Sequence, residues 1–419
     1  MNRIVVEQVQ ITDYRIEILY KVEGKVKKHF NNSIHSFWCE YSSVISSVPI
    51  GVAIIPFVCN VLPLAWLTDA ELILPELDKD FYLSISELKN GYKEMYPKVP
   101  LAGKVLAENV INYRQEKPDF RSAVFFSGGV DATASLLAHI TEKPDLVTIW
   151  GADIKLDDKI GWNNVQTHIQ NVAGEFGLMA LTIKSNFRSF IKPVFGALSA
   201  YWHDNYWYGI QHGIGIIGHI APYAYVRGLS MTYIGSTNSP EYRMEYACAS
   251  DPRIDNHVRF AGMKVLHDQA DCTRQDKIDH IVDYVSKKHV GLTLRVCWIS
   301  TGGKNCCRCE KCFRTIMGLL ASNAEPRKFG FDVILSDLIS IKPYLERKVW
   351  LSDGDITFWK EIQQRFIENK ACLPNRNELN WIYDYNFDKI NCTFRKRMSQ
   401  MYSKCRGIGS HIKHIFIGG

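Results

Sequence analysis

The amino-acid sequence predicts an α/β fold, a doubly wound parallel sheet with an α+β extension before it and a mostly helical region after it. Three observations carry this. Residues 119–325 alternate short apolar runs with stretches of helical periodicity, the pattern of strands and helices layered around a parallel sheet. The first of those runs ends in a glycine pair that leads into a helix. Residues 1–118 open instead on an alternating pattern, and 326–419 read as mostly helical. At 419 residues the chain has room for about two to three domains and a large core. With 46% hydrophobic and 22% charged residues, it is not a disordered, collagen-like or coiled-coil chain.

In order along the chain, Ile4, Val6, Val9 and Ile11, then Ile16, Ile18 and Tyr20, roughly alternate with polar residues and predict half-buried strands. Residues 42–68 carry no charge, a length that can span a bilayer. However, Pro49, Pro56 and Pro63 interrupt the segment, and Ser46, Ser47 and Asn60 are polar. Proline removes a helix hydrogen bond, so this segment is expected to be buried in a folded domain rather than to anchor a membrane. The N-terminus lacks signal-peptide anatomy, and a cytoplasmic protein is expected.

In the middle region, 122–126 is a buried strand stopped by Gly128 and Gly129, with a helix over 131–139. Residues 146–150 are a second strand, ended by Gly151. Trp162, Val165, Ile169, Val172 and Phe176 recur every three or four residues, one face of a helix. A third strand over 178–183 precedes a glycine-containing helix at 209–221, closed by Pro222. A fourth strand, 231–234, runs into the polar loop Gly235-Ser236-Thr237-Asn238-Ser239. Ligands of such sheets sit at the carboxyl ends of the strands. Beyond 325, Trp350, Phe358, Trp359 and Phe366 read as packing residues.

The net charge of +6 lies in the tail. Residues 391–419 hold Arg395, Lys396, Arg397, Lys404, Arg406 and Lys413 and no acid, leaving 44 basic residues against 44 acidic ones elsewhere. A nucleic-acid binder usually spreads its charge over a folded face, so nucleic acid is not an expected partner.

The run VFFSGGVDATASLL at 124–137 carries the main functional signal. A buried strand delivers the chain to Ser127-Gly128-Gly129, where glycine permits a tight turn and close approach to an anion. The helix that follows aims its N–H groups and positive dipole end at the same place. Ser127 and Thr133 add hydroxyl donors, and Asp131 suits Mg²⁺ or loop fixation rather than direct phosphate contact. The lysine of GxxxxGK[ST] is missing, and the run is not GxGxxG.

This strand–SGGVDAT–helix resembles the pyrophosphate loop of the PP-loop ATP pyrophosphatase superfamily, usually SGGxDS. Its members include asparagine and GMP synthetases, tRNA thiolases and 7-cyano-7-deazaguanine synthase. The resemblance implies a PP-loop, Rossmann-like fold that holds the β- and γ-phosphates of ATP and leaves the α-phosphate open to attack. By position, Ser127, Gly128, Gly129, Val130, Asp131, Ala132 and Thr133 would cradle the nucleotide, with Trp150 and Gly151 from the end of the second strand. Ser127 and Asp131 are the candidate catalytic residues, Asp131 with Mg²⁺. One position departs: Ala132 stands where the family has its second serine, and Thr133 lies beside it.

Cys297, Cys306, Cys309 and Cys312 are spaced C-x8-C-x2-C-x2-C. Clustered cysteines in a chain without a secretion signal read as a metal or redox site. Four thiolates suit Zn²⁺, with an iron–sulfur cluster as the alternative. Cys307 is an additional thiol. The spacing resembles the zinc site of 7-cyano-7-deazaguanine synthase, which implies a structural Zn²⁺ close to the substrate pocket. That family has an arginine three residues after the last cysteine, whereas Arg314 is two residues after it here. The resemblance covers about half the chain, residues 120–320.

Between the fourth strand and the cysteines lie Glu241, Arg243, Asp251, Arg253 and Asp255. A guanine-like base offers two adjacent N–H donors that one carboxylate can accept. Asp251 or Asp255 suits that role, with a solvated loop as the alternative. Lys277, beside Arg274, and Arg314 are candidates to neutralise a substrate carboxylate or phosphate. His212 and His219 fall on an apolar helical face and read as packed histidines. The expected activity is an AMP- and pyrophosphate-forming ligase: a small-molecule carboxylate, one like 7-carboxy-7-deazaguanine, is adenylated and taken by ammonia or another amine. A protein or peptide amine is a further acceptor class, and a homodimer is one candidate assembly. Two alternatives stay open: a base thiolase using Cys307 and the basic tail, and a catalytically degenerate ATP-binding zinc scaffold signalled by Ala132.

Overall fold

A computed structural model describes residues 1–114, 119–202, 205–238, 248–297 and 303–392. They fall into two compact units. The first runs from Met1 to Cys272 and takes back Gly303 and Lys304; the second begins at Thr273 and resumes at Asn305. The expected divisions at 118 and 325 are not where the units part.

The first unit contains, in order, β1 (Asn2–Ile11), β2 (Arg15–Glu23), β3 (Ser36–Tyr41), α1 (Ile50–Ala53), α2 (Ile55–Leu67), β4 (Ala70–Asp78), α3 (Lys79–Met95) and β5 (Lys104–Ile111). It continues with β6 (Ser122–Phe125), α4 (Val130–Ala138), β7 (Asp145–Trp150), α5 (Lys159–Phe176), β8 (Ala180–Ser185), α6 (His212–Ile217), α7 (Ala221–Arg227), β9 (Met231–Gly235), α8 (Pro252–Asp255), β10 (Arg259–Phe260) and β11 (Met263–Asp268). All eleven strands form one mostly parallel sheet, in the order β10-β11-β9-β6-β7-β8-β3-β2-β1-β4-β5. Parallel ladders join β6 to β7 and β9, β7 to β8, β9 to β11, and β4 to β1 and β5.

The N-terminal region extends this sheet because β3 pairs antiparallel with β8, from Cys39↔Ser185 to Tyr41↔Ile183. Without β3 the outer N–H and C=O groups of β8 would lack strand partners. The uncharged segment supplies the covering layer. All thirteen residues of α2 are buried. Asn60 is paired there, donating to Pro56 O and Gly215 O and accepting from Gln211. A Cβ on Gly218 would stand 2.7 Å from Cys59 Sγ, so glycine permits this helix contact. No helix among the described residues is long and apolar enough to cross a membrane.

Several local features follow from sequence chemistry. The alternation in β1 breaks because its register against β2 shifts between Val6 and Gln8. The face predicted for α5 is buried at Trp162, Val165, Ile169 and Val172 and half-buried at Phe176. The expected stop at Pro222 is corrected: Pro222 lies in the first turn of α7, where its missing N–H costs nothing, and the helix runs on to Gly228 at φ +64°. Strand β11 was absent from the expectation. It is short, and its first five residues alternate buried and exposed.

The second unit is helical: α9 (Arg274–Lys288), α10 (Glu310–Ala321), α11 (Leu335–Arg347) and α12 (Asp353–Glu368). Capping boxes start α9, at Thr273 and Asp276, and α12, at Ser352 and Asp355. Trp359, Phe358 and Phe366 are core residues, whereas Trp350 is 40% exposed. Residues 273–297 and 305–325 therefore pack with the C-terminal helices, because α9, α10 and α12 bury their apolar faces on one another.

Candidate functional site

In the first unit, β6 has β7 on one side and β9 on the other, and the chain moves outward from it in both directions. In open α/β sheets, ligands bind at the carboxyl ends of the strands where neighbouring loops diverge in this way. Gly128 turns the chain at φ +80°, a conformation costly for any residue with a Cβ. Gly129 caps α4 in extended conformation and donates its N–H to Ser127 Oγ at 3.4 Å. Ser127 is exposed, Gly129 and Asp131 are half-buried, and Gly128, Val130 and Ala132 are buried. The first turn of a helix leaves N–H groups without intrahelical partners, the kind of end at which anions bind.

The loop after β9 comes close. Thr237 Oγ1 donates to Asp131 Oδ2 at 3.1 Å. A Cβ on Gly235 would lie 2.6 Å from the Asp131 carbonyl oxygen, so glycine is needed for the approach. Neither contact is readable from spacing, since Thr237 and Asp131 are 106 positions apart and Gly235 lies almost as far away in the chain. Thr133, expected to add a hydroxyl to the cradle, is completely buried, and its hydroxyl has no hydrogen-bond partner among the described residues.

Trp150 ends β7 and stacks on Trp162, with centroids 5.1 Å apart and planes 4° from parallel. Its indole N–H donates to Lys155 O, and the Lys184 ammonium lies 5.0 Å from its ring. Gly151 sits at φ +109°, where a Cβ would strike Ser185 O. Both therefore have a packing role at the strand end.

In the second unit, the Sγ atoms of Cys297, Cys306, Cys309 and Cys312 all lie within 4.8 Å of one another. The Cys297–Cys309 and Cys306–Cys312 separations are 3.9 Å. A tetrahedral ion with bonds of about 2.3 Å requires about 3.8 Å between sulfurs. A multi-iron cluster, with each thiolate on a different iron, would hold them farther apart. The four cysteines thus form a site that can hold a single metal ion such as zinc. Cys309 caps α10; the hydrogen bond from Cys312 comes first among the causes that hold its thiol down at about 5, while Cys312 itself is raised.

Asn305 fixes the knuckle, a role that no motif announces. Its Oδ1 accepts from the N–H groups of Val296 and Cys297, and its Nδ2 donates to Leu294 O and Gly330 O. Cys307, at φ +54°, is not one of the four. It is buried, its Sγ lies 3.9 Å from Asn305 O, and burial pushes its thiol up to about 11. A nucleophilic cysteine needs the opposite shift.

The substrate candidates divide between the units, Asp251 and Asp255 in the first and Lys277 and Arg314 in the second. None is a solvated loop charge. Asp251 is 3% exposed and takes two side-chain hydrogen bonds from Arg253, at 2.8 and 2.9 Å. Burial pushes its carboxyl up, but the Arg253 hydrogen bonds and charge hold it below the usual range. Asp255 is completely buried and receives Ser250 Oγ and His267 Nδ1, each at 2.8 Å, with its carboxyl raised by burial. Lys277 is completely buried in α9, as is nearly all of Arg274 beside it. Arg314 pairs with Asp355 at 3.1 Å and Glu310 at 3.4 Å and lies over Phe358. Glu241 and Arg243 lie outside the described residues, as does the basic tail beyond 392. His219 is a core residue: both ring nitrogens are hydrogen-bonded, to Gly215 O and Ser185 Oγ, and burial lowers it to about 4. His212 is half-buried beside Trp207 and Cys248.

Compared with known proteins, the chain matches no family model, no curated protein and no solved structure.

Proposed function

We propose that the chain is an ATP-dependent ligase of the PP-loop type, forming AMP and pyrophosphate on a doubly wound sheet. The observation that carries this reading is the Ser127–Asp131 loop, a left-handed glycine at the mouth of a helix beside the end of β9. In this reading the Ser127 hydroxyl and the loop N–H groups bind the β- and γ-phosphates. Asp131, oriented by Thr237, holds Mg²⁺. A substrate carboxylate oxygen attacks the α-phosphorus, the bond to the bridging oxygen breaks, and pyrophosphate leaves. Ammonia or another amine then displaces AMP from the acyl-adenylate. The protein contributes positioning and fixed dipoles to that step. Zn²⁺ on the four cysteines orders the helical unit. A small-molecule carboxylate and an amine are the proposed partners.

A second reading is supported by Ala132 together with the buried Thr133 hydroxyl. No hydroxyl stands at the family's second-serine position, so the loop would bind ATP without turning it over. The thiolase alternative loses support because Cys307 is buried and its thiol is raised. The test is product analysis with α-labelled ATP, Mg²⁺, ammonia and a panel of carboxylates that includes 7-carboxy-7-deazaguanine. AMP that appears with one acid and disappears in Asp131→Ala supports the ligase. Bound ATP without turnover supports the scaffold, and ADP as product overturns both.

A further inference from the structure

We propose that the outer edge of β5 is a self-association surface, on which a second copy of the chain lays its own β5 antiparallel. Among the described residues, β5 ends the sheet and pairs on one side only, with β4. Such an edge presents a row of N–H and C=O groups to any strand that fits. Proteins blunt edges with proline, bulges, very short strands or charged side chains. β5 is eight residues long, contains no proline, and keeps register with β4 from Glu71↔Lys104 to Asp78↔Ile111; its only charges, Lys104 and Glu108, are of opposite sign. It also exposes Leu106, Val110 and Ile111, at 41, 40 and 38%.

Charge complementarity selects the partner and the register. The strand's two charges, Lys104 and Glu108, share a face because side chains alternate with a period of two. A two-fold pairing that keeps the faces aligned is centred on a residue. Centred on Leu106, it sets Lys104 opposite the partner's Glu108 twice and brings the two Leu106 side chains together. Centred on Ala107, it leaves both charges facing apolar residues; centred on Glu108, it faces like charges. Opposite charges across a ladder attract and like charges repel. The strand is thus complementary to itself in one register. Lys104 already touches Glu71 at 3.1 Å, yet its side chain stays 63% exposed, and an ammonium has donors for a second carboxylate.

Sedimentation of the full chain at micromolar concentration is expected to show a dimer. Glu108 is exposed, so Glu108→Lys leaves the fold intact and raises the dimer dissociation constant at least about tenfold. Adding Lys104→Glu to that variant restores complementarity and the dimer. In a Cys372→Ser, Cys392→Ser, Cys405→Ser background, Leu106→Cys forms an intermolecular disulfide on mild oxidation and Val110→Cys does not. A monomeric wild type, a Glu108→Lys dimer of unchanged affinity, or equal cross-linking at 110 overturns the proposal. None of these readouts depends on the nucleotide activity.

Discussion

Replacing Glu361 with glutamine should flatten the pH dependence of stability on the alkaline side. Glu361 lies on α12, and both its carboxylate oxygens are buried away from water. Burial first, then the charge of Asp276, raises its carboxyl from 4.5 to about 7, against the pull of Arg274 and Lys277. A carboxyl raised by folding is stable in its protonated form. Its penalty is absent below the unfolded value of 4.5, grows as pH rises toward the folded value of about 7, and is complete above it. The full penalty is about 3 kcal/mol. Urea unfolding followed by far-UV circular dichroism at pH 5 and pH 8 measures it. Some of the penalty is already present at pH 5, so the wild type should lose about 2.5 kcal/mol more than Glu361→Gln between those two points. Because the comparison is a difference of differences, other titrating groups and any constant cost of the amide cancel. Parallel pH curves for the two proteins would refute the reasoning.

Gly235→Ala should cost about 1–3 kcal/mol and weaken ATP binding together, since the new Cβ would stand 2.6 Å from the Asp131 backbone; urea unfolding and nucleotide titration check the two effects. Metal analysis of the purified chain should find one zinc, lost in serine variants of Cys297, Cys306, Cys309 or Cys312 and retained in Cys307→Ser. Chelation should lower the melting temperature by at least about 5 °C, read by calorimetry. Asn305→Ala removes four hydrogen bonds around the knuckle and should cost about 2–3 kcal/mol, with faster release of zinc to a colorimetric chelator.

The legible parts share a physical origin. The strands at 122–125 and 145–150 show as apolar runs because both faces of a central parallel strand are covered. The α5 face shows because helical period and burial coincide, and α2 shows as an uncharged run because it is buried on every side. The four cysteines show because metal ligands come in short knuckles. What failed to show depends on distant partners. β11 is a short half-buried strand whose alternation fits several alternatives, and Pro222 stops a helix or starts one depending on what precedes it. The buried charges Asp251, Asp255, Lys277 and Arg314 read like surface residues until their partners are known.

By itself, then, the sequence determined the α/β character, the glycine turn ahead of α4 and the thiolate cluster, because each is encoded in neighbouring residues. Only the tertiary structure decided that β3 joins the N-terminal strands to β8, that residues 273–297 and 305–325 pack with the C-terminal helices, and that Thr237 and Gly235 meet Asp131. It also buried the Thr133 hydroxyl and seated Asn305 under the cysteines. Those outcomes rest on hydrogen bonds and close contacts between segments far apart in the chain, where no local periodicity records the choice.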